Sequence, residues 1–213
     1  KKIKTNFQSR KYFLKEIQEF RKSFKKRKDK KQEEEEEEEE EENEEEETFE
    51  IPENYDELRK KGENHNKICQ IIQNDLIEDF IVYINKNSIL PNSKIESSIY
   101  ETNSYLLDKN PTFIEYASFF GSVQIYRYLY HNEVKQTPSL WLYSIHSDNE
   151  ELIRTLEDND IKPQNDNYEK CFEESIKCHH NDIVNYLEYN YISDKSKNKL
   201  DDFSYWYEYY NFS

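Results

Sequence analysis

Glycine is nearly missing from this sequence: Gly62 and Gly121 are the only two in 213 residues. That scarcity excludes folds resting on glycine-rich phosphate loops or on many tight hairpin turns with positive φ. Alternating apolar runs bounded by turn signals are missing too, so an all-β reading has no support. No run of about 18 apolar residues exists, and no membrane-spanning helix is expected. Cysteine is sparse and odd in number, with Cys69, Cys171 and Cys178 widely spaced. This argues against a disulfide framework and for a reducing, intracellular compartment, with the cytoplasm as the default.

What is abundant is charge and aromatic area. Hydrophobic residues make up 34% and charged residues 36%, with a net charge of -16, an average that resembles a disordered chain. The average hides three blocks. Residues 1–31 carry 14 Lys/Arg against three acids, 33–47 is Glu apart from Asn43, and the remainder holds 16 basic and 29 acidic residues. Phe13, Ile17, Phe20 and Phe24 fall on one helical stripe, so residues 7–24, within the basic N-terminal segment 1–31, read as a basic amphipathic helix. In 32–55 like charges at i,i+4 oppose a helix, and this stretch reads as a disordered acidic linker. Residues 56–213 hold most of the 18 Tyr and 12 Phe, enough large side chains to build a core.

Within 56–213 a helix-pair pattern repeats. Ala117 is followed at +4, +8 and +12 by Gly121, Ile125 and Leu129. Ser144 is followed by Asp148, Leu152 and Leu156, and Ser175 by His179, Ile183 and Leu187. The three anchors are 27 and 31 residues apart. A small residue in a first helix and aliphatics spaced along a second is the pattern of an ankyrin-like unit of about 33 residues. A poorer match starts at Ile72, with Leu76, Phe80 and Ile84. Between it and the next unit, Ile95, Ile99, Tyr100, Leu106 and Leu107 predict an additional helix within 91–109. Pro111, Pro138 and Pro163 punctuate the units where helices stop or start. One such pair cannot cover its own apolar face, and stacking makes a shared core. The expected fold is all-α: an α-solenoid of degenerate ankyrin-like helix pairs, preceded by the basic helix and the acidic linker.

The strings Ser98-Ile-Tyr-Glu-Thr-Asn-Ser-Tyr-Leu-Leu107, Ile114-Glu-Tyr-Ala-Ser-Phe-Phe-Gly-Ser-Val-Gln-Ile125, Ser139-Leu-Trp-Leu-Tyr-Ser-Ile-His146 and Glu174-Ser-Ile-Lys-Cys-His-His-Asn-Asp-Ile183 carry a resemblance. They resemble the domain of unknown function found N-terminal to the repeats of trichomonad ankyrin-repeat proteins, over about residues 66–210. The resemblance implies an ankyrin-type solenoid, often continued by further repeats, with no catalytic activity or ligand assigned. The ending at Tyr-Tyr-Asn-Phe-Ser213 looks like the start of another unit, so a domain truncated at its C-terminus is expected. The sequence departs from the ankyrin pattern after Leu129, Leu156 and Leu187, where the Gly-Ala-Asp hairpin turn is missing. Binding through hairpin tips is therefore not implied.

Candidate chemistry is thin. Cys171, Cys178, His179 and His180 form the only metal-like group, yet structural zinc needs paired short spacings from two elements and one weak half is present. In the ankyrin alignment His179 and His180 take the Gly-His connection between helices, and the two cysteines lie at i,i+7 on one buried stripe. No metal or cofactor is expected. The Ser-x-x-Lys matches at Ser23–Lys26 and Ser196–Lys199 fall in lysine-rich stretches where chance supplies them. No His-Glu-x-x-His, phosphate loop or nucleophile elbow occurs, and no catalytic activity is expected. Trp141 reads as core, while Tyr126, Tyr128 and Tyr130 divide between core and surface. Lys25-Lys-Arg-Lys28, extended by Lys30 and Lys31, fits a nuclear-import patch or a contact with anionic membrane or nucleic acid, against the plainer reading of a solvated low-complexity tract.

These features add up to a protein–protein interaction scaffold with an unspecified protein partner. The acidity after residue 48 makes the folded part a poor nucleic-acid binder. The competing reading is a regulatory or targeting fragment, whose basic and acidic N-terminal tail carries localisation or partner contact.

Overall fold

The computed structural model of the chain describes residues 13, 15, 16, 19, 54–103, 105, 106 and 109–192. The expectations for the basic segment 1–31, the linker 32–55 and the C-terminal end therefore fall mostly outside the described residues. So do Lys25–Lys28 and both Ser-x-x-Lys matches. Among the described residues the elements are helical, with no strand beyond one isolated antiparallel bridge between Lys94 and Thr112. The α-helices are α1 (Tyr55–Lys61), α2 (Lys67–Gln73), α3 (Ile77–Lys86), α4 (Phe113–Phe120), α5 (Val123–His131), α6 (Leu140–His146), α7 (Glu150–Asp158), α8 (Tyr168–Lys177) and α9 (Asn181–Tyr191). A 3-10 turn at Gln164–Asp166 precedes α8. The all-α expectation holds among these residues, and none of the helices is long and apolar enough to cross a membrane.

The chain divides into two compact units, Lys1–His65 with Ser97–Leu107, and Asn66–Glu96 with Asp108–Ser213. In the first, Tyr55 opens α1 almost fully buried and meets the edge of Tyr100 at 5.9 Å, and Tyr100 meets His65 at 5.0 Å. The amide and hydroxyl of Thr102 both donate to the Gly62 carbonyl just beyond α1. The helix expected within 91–109 is not found in its described part, although Ile95, Tyr100 and Leu106 are buried. Local bonds explain the difference. The Ser98 hydroxyl accepts from the Tyr100 amide, the Glu101 carboxylate from Asn103 and the Asn103 side chain from Tyr105. Such bonds offer the backbone an alternative to the helix ladder.

Among the described residues the second unit holds four helix–turn–helix pairs: α2/α3, α4/α5, α6/α7 and α8/α9. First helices pack in series, α2 on α4, α4 on α6 and α6 on α8, and α3 packs on α5. Ala117, Ser144 and Ser175 sit fully buried in α4, α6 and α8, where small side chains permit close helix approach. Ile125, Leu129, Leu152, Leu156, Ile183 and Leu187 are buried along the second helices. Burying each such aliphatic side chain contributes about 1.5–3 kcal/mol. Helix starts are marked by Pro111 and Pro138, which stand just before the cap residues Thr112 and Ser139. Thr112 and Glu115 form a reciprocal capping box, and Ser139 Oγ donates to Glu115 Oε1 at 2.6 Å, tying one pair's cap to the next.

Each pair turns through one left-handed residue: Asp75 (φ 50), Gly121 (φ 70), Asp148 (φ 52) and His179 (φ 60). The amides of Leu76, Ser122 and His180 donate to the carbonyls of Ile71, Ala117 and Ser175, closing Schellman-type ends. Second helices end likewise at Ser88, Glu133 and Asp160, each followed by an aliphatic residue, Ile89, Val134 or Ile161. In the first pair the turn is offset from the spacing read in the sequence. Ile72, Phe80 and Ile84 are buried, but Leu76 is 45% exposed and the left-handed residue is Asp75. Ile71 is thus the turn-equivalent of Ala117. The buried stripe of α3 is shifted by one residue, about 100° around the helix.

Candidate functional site

The ends of α6 and α8 bring together a thiol, an imidazole and a carboxylate. His146 is the last residue of α6, Glu174 lies one turn before the end of α8, and Cys178 caps α8. Because α6 and α8 are neighbouring first helices, their corresponding ends face each other across the stack. The Cys178 Sγ lies 3.4 Å from His146 Nδ1, and His146 Nε2 lies 3.0 Å from Glu174 Oε1. The Phe119 ring of α4 stacks on the imidazole, with centroids 4.9 Å apart. On the other side of Glu174, Lys177 Nζ lies 3.6 Å from Oε2. One turn away, His180 Nδ1 and Asp148 Oδ1 are 3.1 Å apart, joining the left-handed turn of one pair to the turn of the next.

The electrostatics follow from this packing. The hydrogen bond from His146 holds the Glu174 carboxyl below the usual carboxylate range, outweighing the opposite effect of burial. Burial pushes the Cys178 thiol up to about 12, with the Glu174 charge acting in the same direction. Thiol, imidazole and carboxylate in series is the order of a nucleophile, its base and an orienting group. A thiol raised that far stays protonated at neutral pH, which opposes nucleophilic use. The same three groups offer S, N and O donors of the kind that bind zinc.

The cysteine and histidine set read from the sequence is split. Cys171 is fully buried in α8, and burial pushes its thiol up to about 12. His179 occupies the left-handed turn at which Gly121 stands in the second pair. His180 meets Asp148. Only Cys178 reaches a cluster, and its partners His146 and Glu174 were not singled out by spacing. The aligned units contain the signal: His146 is anchor +2 from Ser144, and Cys178 is anchor +3 from Ser175.

The aromatic residues divide as follows. Trp141 is fully buried and meets the edges of Tyr168 and Tyr191. Tyr126 is buried, with its hydroxyl accepting from Gln136, whereas Tyr130, on the same side of α5, is exposed at the helix end and donates to Asn159. Tyr128 meets the edge of Phe80. Between α7 and α9, Glu150, Ile153, Arg154, Asp182, Ile183 and Tyr186 line a surface groove of about 260 Å³.

No family model matches this chain, and neither does any curated protein or solved structure.

Proposed function

We propose that this chain is a protein–protein interaction scaffold, built as a short α-solenoid of degenerate ankyrin-like helix pairs and without catalytic activity of its own. The observation that carries the reading is the serial packing of α2, α4, α6 and α8, with one left-handed turn residue at the same place in each pair. In such a stack first helices share the core, and second helices are left to present variable side chains outward. Val82, Tyr130, Tyr186 and Tyr189 are large exposed side chains on those second helices, and Tyr186 lines the α7–α9 groove. Tyrosine provides contact area and a hydrogen-bonding tip together, which suits recognition of another protein. The likeness to the trichomonad ankyrin-repeat domain belongs to the same proposal. So does a reducing intracellular location, in keeping with three cysteines none of which is in a disulfide.

The experiment is capture by the full chain, compared with a variant carrying Arg154→Glu and Tyr186→Ala on the outer helices. Saturable binding of a discrete protein that the double substitution weakens supports the reading. Saturable turnover of a small molecule without any such partner would sink it. A partner retained by the double variant but lost on removing residues 1–47 would favour the N-terminal targeting reading instead.

A further inference from the structure

We propose that His146, Glu174 and Cys178 form a Zn²⁺ site that clips the third helix pair to the fourth. The donor atoms come from two elements far apart in sequence and lie within 4.8 Å of one another. Zinc bonds of about 2.3 Å to sulfur and about 2.0–2.1 Å to nitrogen or oxygen set the test. Two donors can share an ion when their separation is below the sum of their bond lengths, about 4.4 Å for S and N and about 4.2 Å for N and O. The Cys178 Sγ to His146 Nδ1 distance of 3.4 Å and the His146 Nε2 to Glu174 Oε1 distance of 3.0 Å both fall below those sums. An ion takes one imidazole nitrogen only, so one of these two contacts becomes a shared edge of the site and the third donor, within 4.8 Å, must move towards the ion. Sulfur, imidazole and carboxylate together favour Zn²⁺ over Mg²⁺ or Ca²⁺, which prefer oxygen alone.

The surroundings suit a held ion. The Phe119 ring fixes the plane of the imidazole from one face, so little rotamer freedom is left to lose. His146 and Glu174 keep 14% and 18% of their side chains exposed, so the cluster is reached from solvent. Lys177 opposes the ion, because its ammonium sits 3.6 Å from the second oxygen of Glu174. On binding, the Cys178 S–H bond breaks, the proton leaves to solvent and the sulfur keeps the electron pair that forms the Zn–S bond. Glu174 binds as the carboxylate, and His146 through a ring nitrogen that carries no proton.

The test is titration of the full, reduced, chelator-treated chain with Co²⁺ and with Zn²⁺. The Glu-rich stretch 33–47 is itself a sink for divalent cations, so stoichiometry alone does not decide. The deciding readout is thiolate-to-cobalt charge-transfer absorption, displaced by Zn²⁺. The expected result is a saturable band in the native chain, abolished in Cys178→Ser, weakened in Glu174→Gln and obtained at lower metal concentration in Lys177→Gln. The melting temperature rises with Zn²⁺ in the native chain and not in Cys178→Ser. Absence of the band, or a band that survives in Cys178→Ser, overturns the proposal. A metal response confined to chains that keep the Glu-rich stretch also overturns it. Cys178 is a half-buried cap, so its serine variant is expected to fold, and circular dichroism checks that directly.

Discussion

The indole N–H of Trp141 donates to the carbonyl of Ile161 at 2.6 Å. This bond links the first helix of the third pair to the residue that closes the same pair. Ile161 also donates its amide to Leu156, so the closing turn is held at both its polar groups. Trp141→Phe keeps an aromatic ring in the site but leaves the Ile161 carbonyl short of its donor. The expected cost is about 1–3 kcal/mol, read as a lower urea midpoint with an unchanged slope. A loss near zero would mean that water replaces the indole at that carbonyl.

Left-handed turn residues allow a paired prediction of opposite sign. Glu133 holds φ 59 with a full side chain, a conformation that costs an L-residue about 1–2 kcal/mol and glycine almost nothing. Glu133→Gly is therefore expected to stabilise the chain by roughly 0.5–1 kcal/mol, the gain being trimmed by the greater freedom of the unfolded glycine. Gly121→Ala should destabilise it by about 1–2 kcal/mol. At Gly121 φ is 70, and an added Cβ would lie 3.4 Å from Ser147 Cβ. Thermal melts of the two variants should move in opposite directions.

How far the fold was legible in the sequence can be argued from these turns. Ala117, Ser144 and Ser175 were readable because a small residue in a buried first helix recurs at fixed distance from aliphatics that must share its core. In the first pair the spacing from Ile72 marks the buried Phe80 and Ile84 but not the turn, which falls one residue earlier than Leu76. There Asp75 makes the left-handed turn that Gly121 makes in the second pair, and aspartate carries no spelling that distinguishes this role from a surface acid. The apolar residues of 91–109 alone spell a helix, while Ser98, Glu101 and Asn103 decide its conformation through bonds to amides two residues on. The site was less legible still. Cys178 stands out in the sequence beside two histidines, but His146 and Glu174 join it only because α6 and α8 pack side by side.

Asp75 supplies the next expectation. Its two carboxylate oxygens accept from the amides of Gln124 and Ile125, both at 3.0 Å, so the turn of the first pair caps the start of α5 in the second. Four amides at a helix start lack intrahelical partners, and α5 has no side-chain cap from its own N-cap residue, Ser122. Asp75→Ala should cost about 1–2 kcal/mol, near the upper range for a lost cap. Amide exchange at Gln124 and Ile125 should accelerate. Asp75→Asn, which keeps one acceptor oxygen, should recover part of the loss. Equal losses in both variants would shift the explanation to the negative charge beside the helix start.

Two glutamates should respond to acid in opposite senses. Glu174 is held below the ordinary carboxylate value chiefly by the hydrogen bond from His146. Its folded pKa is depressed, so the stability it contributes is present above the unfolded value, about 4.3, and is lost as pH falls through the folded value. Glu101 is pushed above the ordinary value chiefly by burial, despite bonds from neighbouring backbone amides. Its fold favours the protonated form, so its contribution grows as pH falls from neutral through the raised value and levels off below about 4.3. Comparing each with its glutamine variant isolates these slopes, because glutamine does not titrate. Relative to Glu101→Gln, the native chain should gain stability between neutral pH and about 4.3. Relative to Glu174→Gln, it should lose stability only below about 4.3. Urea midpoints measured at intervals across that range would show the two difference curves sloping in opposite directions. Parallel curves would refute the assigned environments of both carboxyls.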